Sequence, residues 1–329
     1  MKFILKTMRE AAFVKQNKNK WFKFESYLRD NAQYSPDDLS NLYIEITDDL
    51  SYAQTFYPNS NTTKYLNQIS VKAHQKIYKT QKTSGNKIVK FYTKEFPLMF
   101  YQYRYQLLLA FLVFLFFSLV GAYSAATDQD FVRLILGDNY VNMTLENINN
   151  NDPMAVYKKA NETDMFIGIT INNVRVGFLS YIFGFLLGIG ALFIGMQNAV
   201  MLGSFQYFFA DKGLLWESAR TIWIHGTIEI SVIIVCICAG LVAGNGIMFP
   251  KTYTRLESLA RSAKAGLKIV LSTVPFFIIA GFLEGFVTRH TEMPDALAIF
   301  IIGGSMALIL FYYVFLPIKL HKNQHNGKP

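Results

Sequence analysis

Two glutamates stand inside stretches of lipid-length apolar sequence: Glu229 within residues 222–243, and Glu284 within the next stretch, 269–288. A carboxylate in hydrocarbon costs on the order of 3 kcal/mol even by the lower estimates, so it persists where something uses it or pairs with it. His225 and Glu229 are four residues apart and share one face of a helix. Gly281, Glu284, Gly285 and Thr288 share a face of the following one. Consecutive spans run antiparallel, so Glu229, ~10 Å past the start of its helix, and Glu284, ~6 Å before the end of its own, occupy the same leaflet. Arg289 and His290 follow at that rim as candidate partners. These groups suit three chemistries. The favoured one is a buried pairing network of His225, Glu229, Glu284 and Arg289 that sets helix register. The second is a proton or ion site, or a polar path for a lipid headgroup. The third and least favoured is a metal site of His225, Glu229 and Glu284. No His-Glu-x-x-His spacing and no Ser/His or paired-Asp arrangement is present. No catalytic residue, resident metal or cofactor is therefore assigned, and the chain reads as not an enzyme.

Such groups need a helix bundle to hold them. Of the 329 residues 52% are hydrophobic and 17% charged, yet 17 of the 32 Lys and Arg fall in the first 104 positions, against 9 acidic residues there. A basic excess of that kind in a membrane protein marks a cytoplasmic face near anionic lipid. No nucleic-acid recognition fold or aromatic-basic repeat accompanies it, so nucleic acid is excluded as a partner. Cys236 and Cys238 are turned roughly 200° apart on one helix and act as small apolar fillers, not as a disulfide. Residues 1–14 lack an apolar core of signal-peptide length, and the N-terminus is expected to be uncleaved.

The expected fold is all-α, a polytopic membrane helix bundle with an N-terminal cytosolic helical unit. Residues 1–86 form that unit from three amphipathic helices. The first spans 10–30, with Phe13, Trp21, Phe24 and Leu28. The second spans 36–56, opened by Ser35-Pro36-Asp37-Asp38 and striped with Leu39, Leu42, Tyr43, Ile46 and Leu50. The third spans 62–79, with Leu66, Ile69, Ala73 and Ile77. A polar linker, 79–87, leads to an aromatic and basic stretch, 87–104, expected to lie on the cytoplasmic leaflet and bend at Pro97. The bundle covers 105–320 and the basic tail 321–329. Its first span is 105–123, followed by an external segment, 124–175, which holds 7 acids, 4 bases and Asn-rich runs. Asn142-Met-Thr and Asn161-Glu-Thr there match the glycosylation pattern, a short match that is common by chance. The uncharged stretch 176–210 is too long for one span and is expected to break at Gly195-Met-Gln-Asn198, giving arms at 176–194 and 197–210, the second short enough to be re-entrant. Spans at 222–243, 269–288 and 297–316 complete the bundle. The basic loop 245–268 and the basic tail favour six membrane segments with both ends inside; five is the alternative if the short arm is re-entrant. Gly184 and Gly188, Gly240 and Gly244, and Gly281 and Gly285 form small-xxx-small pairs suited to close helix packing in lipid.

Several stretches resemble the stage II sporulation protein M family of prokaryotic membrane proteins. They are Phe13-Val14 with Trp21; His225-Gly226-Thr227-Ile228-Glu229-Ile230, similar to the family's His-Gly-x-x-Glu element; Ala239-Gly240-Leu241 with Gly244; and Phe282-Leu283-Glu284-Gly285-Phe286-Val287-Thr288, similar to its Glu-Gly/Ala-Phe-x-Thr element. Ile224 stands where the family usually has proline, and the family's usual five spans differ from the six expected here. The resemblance implies a multi-pass protein of the prokaryotic inner membrane with a cytoplasmic N-terminus. In spore formers the namesake anchors or recruits a set of partners that includes a peptidoglycan-cutting enzyme. The functional expectation is thus a non-enzymatic scaffold or anchor for an envelope-remodelling complex. Its partners would be membrane lipid, other membrane or envelope proteins including a peptidoglycan-acting enzyme, and a homo-oligomer as an open class. The alternative is a transporter, or a lipid- or ion-translocating protein, that uses the intramembrane Glu and His.

Overall fold

A computed structural model describes residues 8–29, 36–78, 86–159 and 161–326. The Ser35 cap, most of the 79–87 linker, the first seven residues and the last three lie outside these, as do the side chains of Leu39 and Ile77. Among the described residues all regular structure is helical, and the chain divides into two compact units at Gly85–Asn86.

The first unit contains α1 (Glu10–Arg29), α2 (Pro36–Phe56) and α3 (Asn61–Tyr78). Each helix contributes a stripe to one core: Phe13, Trp21 and Phe24; Ile46, Leu50 and Ala53; Leu66, Ile69 and Ala73. The Trp21 indole nitrogen donates to Asp49 at 2.7 Å, and Lys20 pairs with the same carboxylate at 2.7 Å, so the polar edge of the core is satisfied. Phe22, Ile44 and Val71, one residue per helix, remain exposed.

The second unit begins with a continuous helical run, Lys87–Thr127. It comprises α4 (Lys87–Lys90), a wide π turn (Phe91–Glu95), α5 (Phe96–Phe100), a 3-10 turn (Tyr101–Tyr103) and α6 (Arg104–Thr127). The aromatic stretch is therefore continuous with the first long helix. The π turn delivers Pro97 to the first turn of α5, where a missing N–H costs nothing. Phe96 and Phe100 are fully buried against Tyr313. Next come α7 (Gln129–Leu136), α8 (Asp138–Asn149) and the single turn α9 (Val156–Lys159). Then follow α10 (Glu162–Phe183), α11 (Ile189–Asp211), α12 (Leu215–Met248), α13 (Arg255–Phe282), α14 (Asp295–Leu310) and α15 (Leu316–His325). Helix α13 runs on through a π turn to Val287, and α14 runs through another into α15.

Two expected boundaries move. The helix assigned to 176–194 starts at Glu162, because the Asn161 side chain caps it by accepting from the Thr163 and Asp164 amides. The segment between the first span and α10, expected to be external, therefore ends near Asn161 instead of residue 175. The hairpin breaks at Gly184–Gly188 and not at Gly195–Asn198. Leu187 and Gly188 take positive φ values of 55° and 81°, which turns the chain out of the break and into α11. Asn198 is absorbed into α11 by donating to the Ile194 carbonyl at 2.8 Å, so it does not break the helix.

Among the described residues five helices are long and apolar enough to cross a membrane, so the protein is an all-α polytopic bundle. The sixth segment, α11, is no short arm: its 23 residues extend about 34 Å, although Gln197, Asn198 and Gln206 make it less apolar. Helix α12 is the axis, packed by α6, α10, α11, α13 and α14. The predicted glycine pairs mate with one another. Gly184 lies against Gly240, and Gly244 against Gly188, backbone on backbone, while Gly281 and Gly285 receive Thr170 and Phe166 of α10. A Cβ on Gly240 would overlap Ala191 and the Ser180 carbonyl, whereas one on Gly303 would meet nothing within 4 Å. Gly240→Val is expected to lower stability by about 1–3 kcal/mol or more through overpacking. Gly303→Ala should leave stability unchanged within about 0.5 kcal/mol, with thermal unfolding in detergent as the measurement.

Candidate functional site: the acidic cluster at the capped end of the bundle

The start of α12 and the end of α13 meet at one end of the bundle. Three contacts tie them there: the Arg220 guanidinium donates to the Thr291 and Met293 carbonyls at 2.9 and 3.0 Å and pairs with Asp295 at 2.8 Å. The segment of α7, α8 and α9 covers this end. Its Val132, Val141 and Met154 pack on Phe208, Phe209 and Ile222.

Beneath that cover the structure brings His225, Glu229 and Glu284 together, with one ligand-type atom from each lying within 4.8 Å of the others. His225 and Glu229 project from one face of α12, one turn apart. Glu284 comes from the π turn Leu283–Val287 of α13, whose Thr288 amide reaches five residues back to the Leu283 carbonyl at 2.8 Å. Single π turns recur at functional sites, where they re-aim a side chain. The Thr288 hydroxyl donates to the same Leu283 carbonyl at 3.1 Å, so its one proton is committed. With the Thr288 proton on the Leu283 carbonyl, the 2.9 Å contact between His225 Nδ1 and Thr288 Oγ1 assigns His225 the Nδ1–H tautomer. The lone pair on Nε2 consequently faces Glu284 Oε2 at 3.7 Å.

Arg289 does not join this group. It pairs with Glu162 at the start of α10, at 2.7 Å, and its other arm lies 3.4 Å from the Lys158 carbonyl. His290 is exposed. The expected network with Arg289 is thus corrected: the helix that begins at Glu162 supplies that arginine with its own carboxylate. Two participants escaped the sequence reading. Asn173 of α10 is buried beside Glu229, near enough to favour its charged form, and its amide nitrogen makes no hydrogen bond with any acceptor among the described residues. Tyr157 of α9 places its ring 5.8 Å from that of His225. Burial pushes the Tyr157 phenol well above its usual range, and the nearby Glu284 carboxylate adds to the shift. The Asn161-Glu-Thr cap was the signal that would have extended α10 to include Asn173; no periodic signal marks Tyr157.

Comparison with known proteins gives a consistent frame. The sequence pattern of the family described as Stage II sporulation protein M matches residues 110–289, which include all three converging residues. A second pattern, Domain of unknown function (DUF8413), matches residues 11–79. A curated relative, Uncharacterized protein MJ0706 of Methanocaldococcus jannaschii, is 31% identical over 134 residues; the match covers 39% of this chain and spans 58% of the relative's length. No solved structure matches.

The role of Thr288 as the acceptor for His225 is testable. Thr288→Val leaves a buried imidazole N–H unsatisfied and is expected to cost about 1–3 kcal/mol in thermal or SDS unfolding, with Thr288→Ser recovering most of the loss.

Proposed function

Since the chain belongs to the stage II sporulation protein M family, we propose that it is a non-enzymatic scaffold that anchors or recruits an envelope-remodelling complex at the prokaryotic inner membrane. The N-terminus and the basic ends of the helices face the cytoplasm in this reading. The first unit is the docking module. It closes its own core yet keeps Phe22, Ile44 and Val71 exposed, one apolar residue on each helix available to a partner. The bundle is the anchor. The observation that carries this role is the backbone-on-backbone packing of α10 and its following turn on α12 at Gly184–Gly240 and Gly188–Gly244, a contact that resists the sliding a carrier needs. Partners in this reading are envelope proteins, with a peptidoglycan-acting enzyme among them, together with lipid.

A second reading, ion or lipid translocation, draws support from one specific observation. His225, Glu229 and Glu284 converge without a lysine or arginine within ion-pair distance, among the described residues. The two readings separate experimentally. A scaffold loses partner recovery in native-membrane pull-downs on deletion of residues 1–85 and retains it in Glu229→Gln. A translocator shows ion or lipid flux in proteoliposomes that Glu229→Gln and Glu284→Gln abolish. Flux with those properties would contradict the scaffold reading.

A further inference from the structure

The cluster presents an unusual electrostatic problem. His225 is 4% exposed, and its Nε2 is an acceptor because Thr288 takes the Nδ1 proton. Ionised carboxylates are acceptors too. With both carboxyls ionised, three acceptors face one another at the end of a lipid-embedded bundle, and the two cations nearest in sequence are engaged elsewhere: Arg289 with Glu162 and Arg220 with Asp295. Acceptors brought this close repel unless something positive sits between them.

We propose that His225, Glu229 and Glu284 form a binding site for one divalent first-row transition cation, of the zinc, manganese or iron(II) type. The proposal rests on the geometry of the cluster and is independent of the scaffold reading. A dication balances two carboxylates, so the assembled site is neutral in hydrocarbon, where any residual charge is costly. One imidazole nitrogen and two carboxylate oxygens are a donor set such ions favour. Two bonds of about 2.1 Å span donors up to ~4.2 Å apart. The 3.7 Å pair of His225 and Glu284 already fits, and the widest separation, within 4.8 Å, closes by a small rotamer shift.

The surroundings supply what a metal centre requires. Histidine ligands hold their tautomer by donating the other ring N–H, which is the role Thr288 plays. Asn173, 5% exposed, stands beside Glu229 with an unpartnered amide nitrogen. Turning that amide over gives up the long 3.5 Å contact from Asn172 Nδ2 and points its Oδ1 inward as a fourth ligand, the third oxygen. A polar cleft of about 380 Å³ opens one turn outward along α12; Glu217, Glu292 and Asp152 line it together with Lys158, which pairs with Asp152, and Arg220, which pairs with Asp295, so Glu217 and Glu292 are the carboxylates left to a cation there. Glu217, Thr221, His225 and Glu229 succeed one another at every fourth position of α12, a polar track from the cleft to the cluster.

The test uses the full chain in detergent, stripped with a chelator and reloaded with Zn²⁺ alone. Elemental analysis should find one equivalent per chain. Affinity should fall at least tenfold in Glu229→Gln and in Glu284→Gln and about 10–100-fold in Thr288→Val, and it should be unchanged in Glu162→Gln, whose carboxylate serves Arg289. Binding well below one equivalent in the wild type, or binding that Glu229→Gln leaves intact, overturns the proposal. Should the glutamine variants fail to fold, Co²⁺ in the wild-type chain decides the matter. A ligand-field spectrum without thiolate charge transfer supports the site. No spectrum, or one with thiolate bands from Cys236 and Cys238, overturns it.

Discussion

Two carboxylates brought together inside a membrane bundle, with no lysine or arginine among the described residues within ion-pair distance, constrain the rest of this bundle. Each alone costs several kcal/mol in hydrocarbon, and together they add mutual repulsion unless a proton or cation lies between them. The protein accepts this arrangement at the junction of its central helix with α13, and the local structure is organised to preserve it. A π turn aims Glu284 inward, Thr288 sets the histidine tautomer, and the α7–α9 segment covers the end. Removing the basic partner to Glu162, at the rim, keeps Arg289 from neutralising the pair.

Holding charges that repel requires neighbours that do not yield. In lipid the hydrophobic drive between helices is absent, and close van der Waals contact takes its place. Gly184 against Gly240 and Gly188 against Gly244 let α10 and its following turn approach α12 at the backbone. Gly281 and Gly285 do the same for α13 against α10. The three helices that contribute His225, Glu229, Glu284 and Asn173 are thus joined by glycine contacts, as α6 and α11 are by Gly121 and Gly203. Packing and electrostatics are two aspects of one construction: loosening the glycine seams would let the acidic groups separate.

Much of this was legible in the residues because charge inside an apolar run is conspicuous and helix periodicity is simple arithmetic. His225 and Glu229 at spacing four, and Glu284 at the matching depth on an antiparallel neighbour, lead directly to the cluster. The two errors at the site, Asn173 and Arg289, share an origin. The uncharged run begins at Val176, so α10 was started there, although the Asn161 cap begins it at Glu162. That displacement hid Asn173 in a supposed loop and removed Glu162 from consideration, which left Arg289 assigned to the wrong carboxylate. The hairpin break was misplaced for a related reason. Polar side chains at 197 and 198 look like a turn, yet an asparagine can bond back to its own helix, whereas the backbone strain at Leu187–Gly188 has only a weak sequence signature. Polarity reports on solvent; it reports less well on where a helix ends.

The most direct test of the account is a double-mutant cycle on Glu229→Gln and Glu284→Gln, read by SDS unfolding of chelator-treated full-length protein. Carboxylates that face one another predict a coupling energy of about 0.5–3 kcal/mol between the two substitutions. Effects that add within about 0.3 kcal/mol would mean the two groups do not sense each other, and would contradict the convergence on which the site depends.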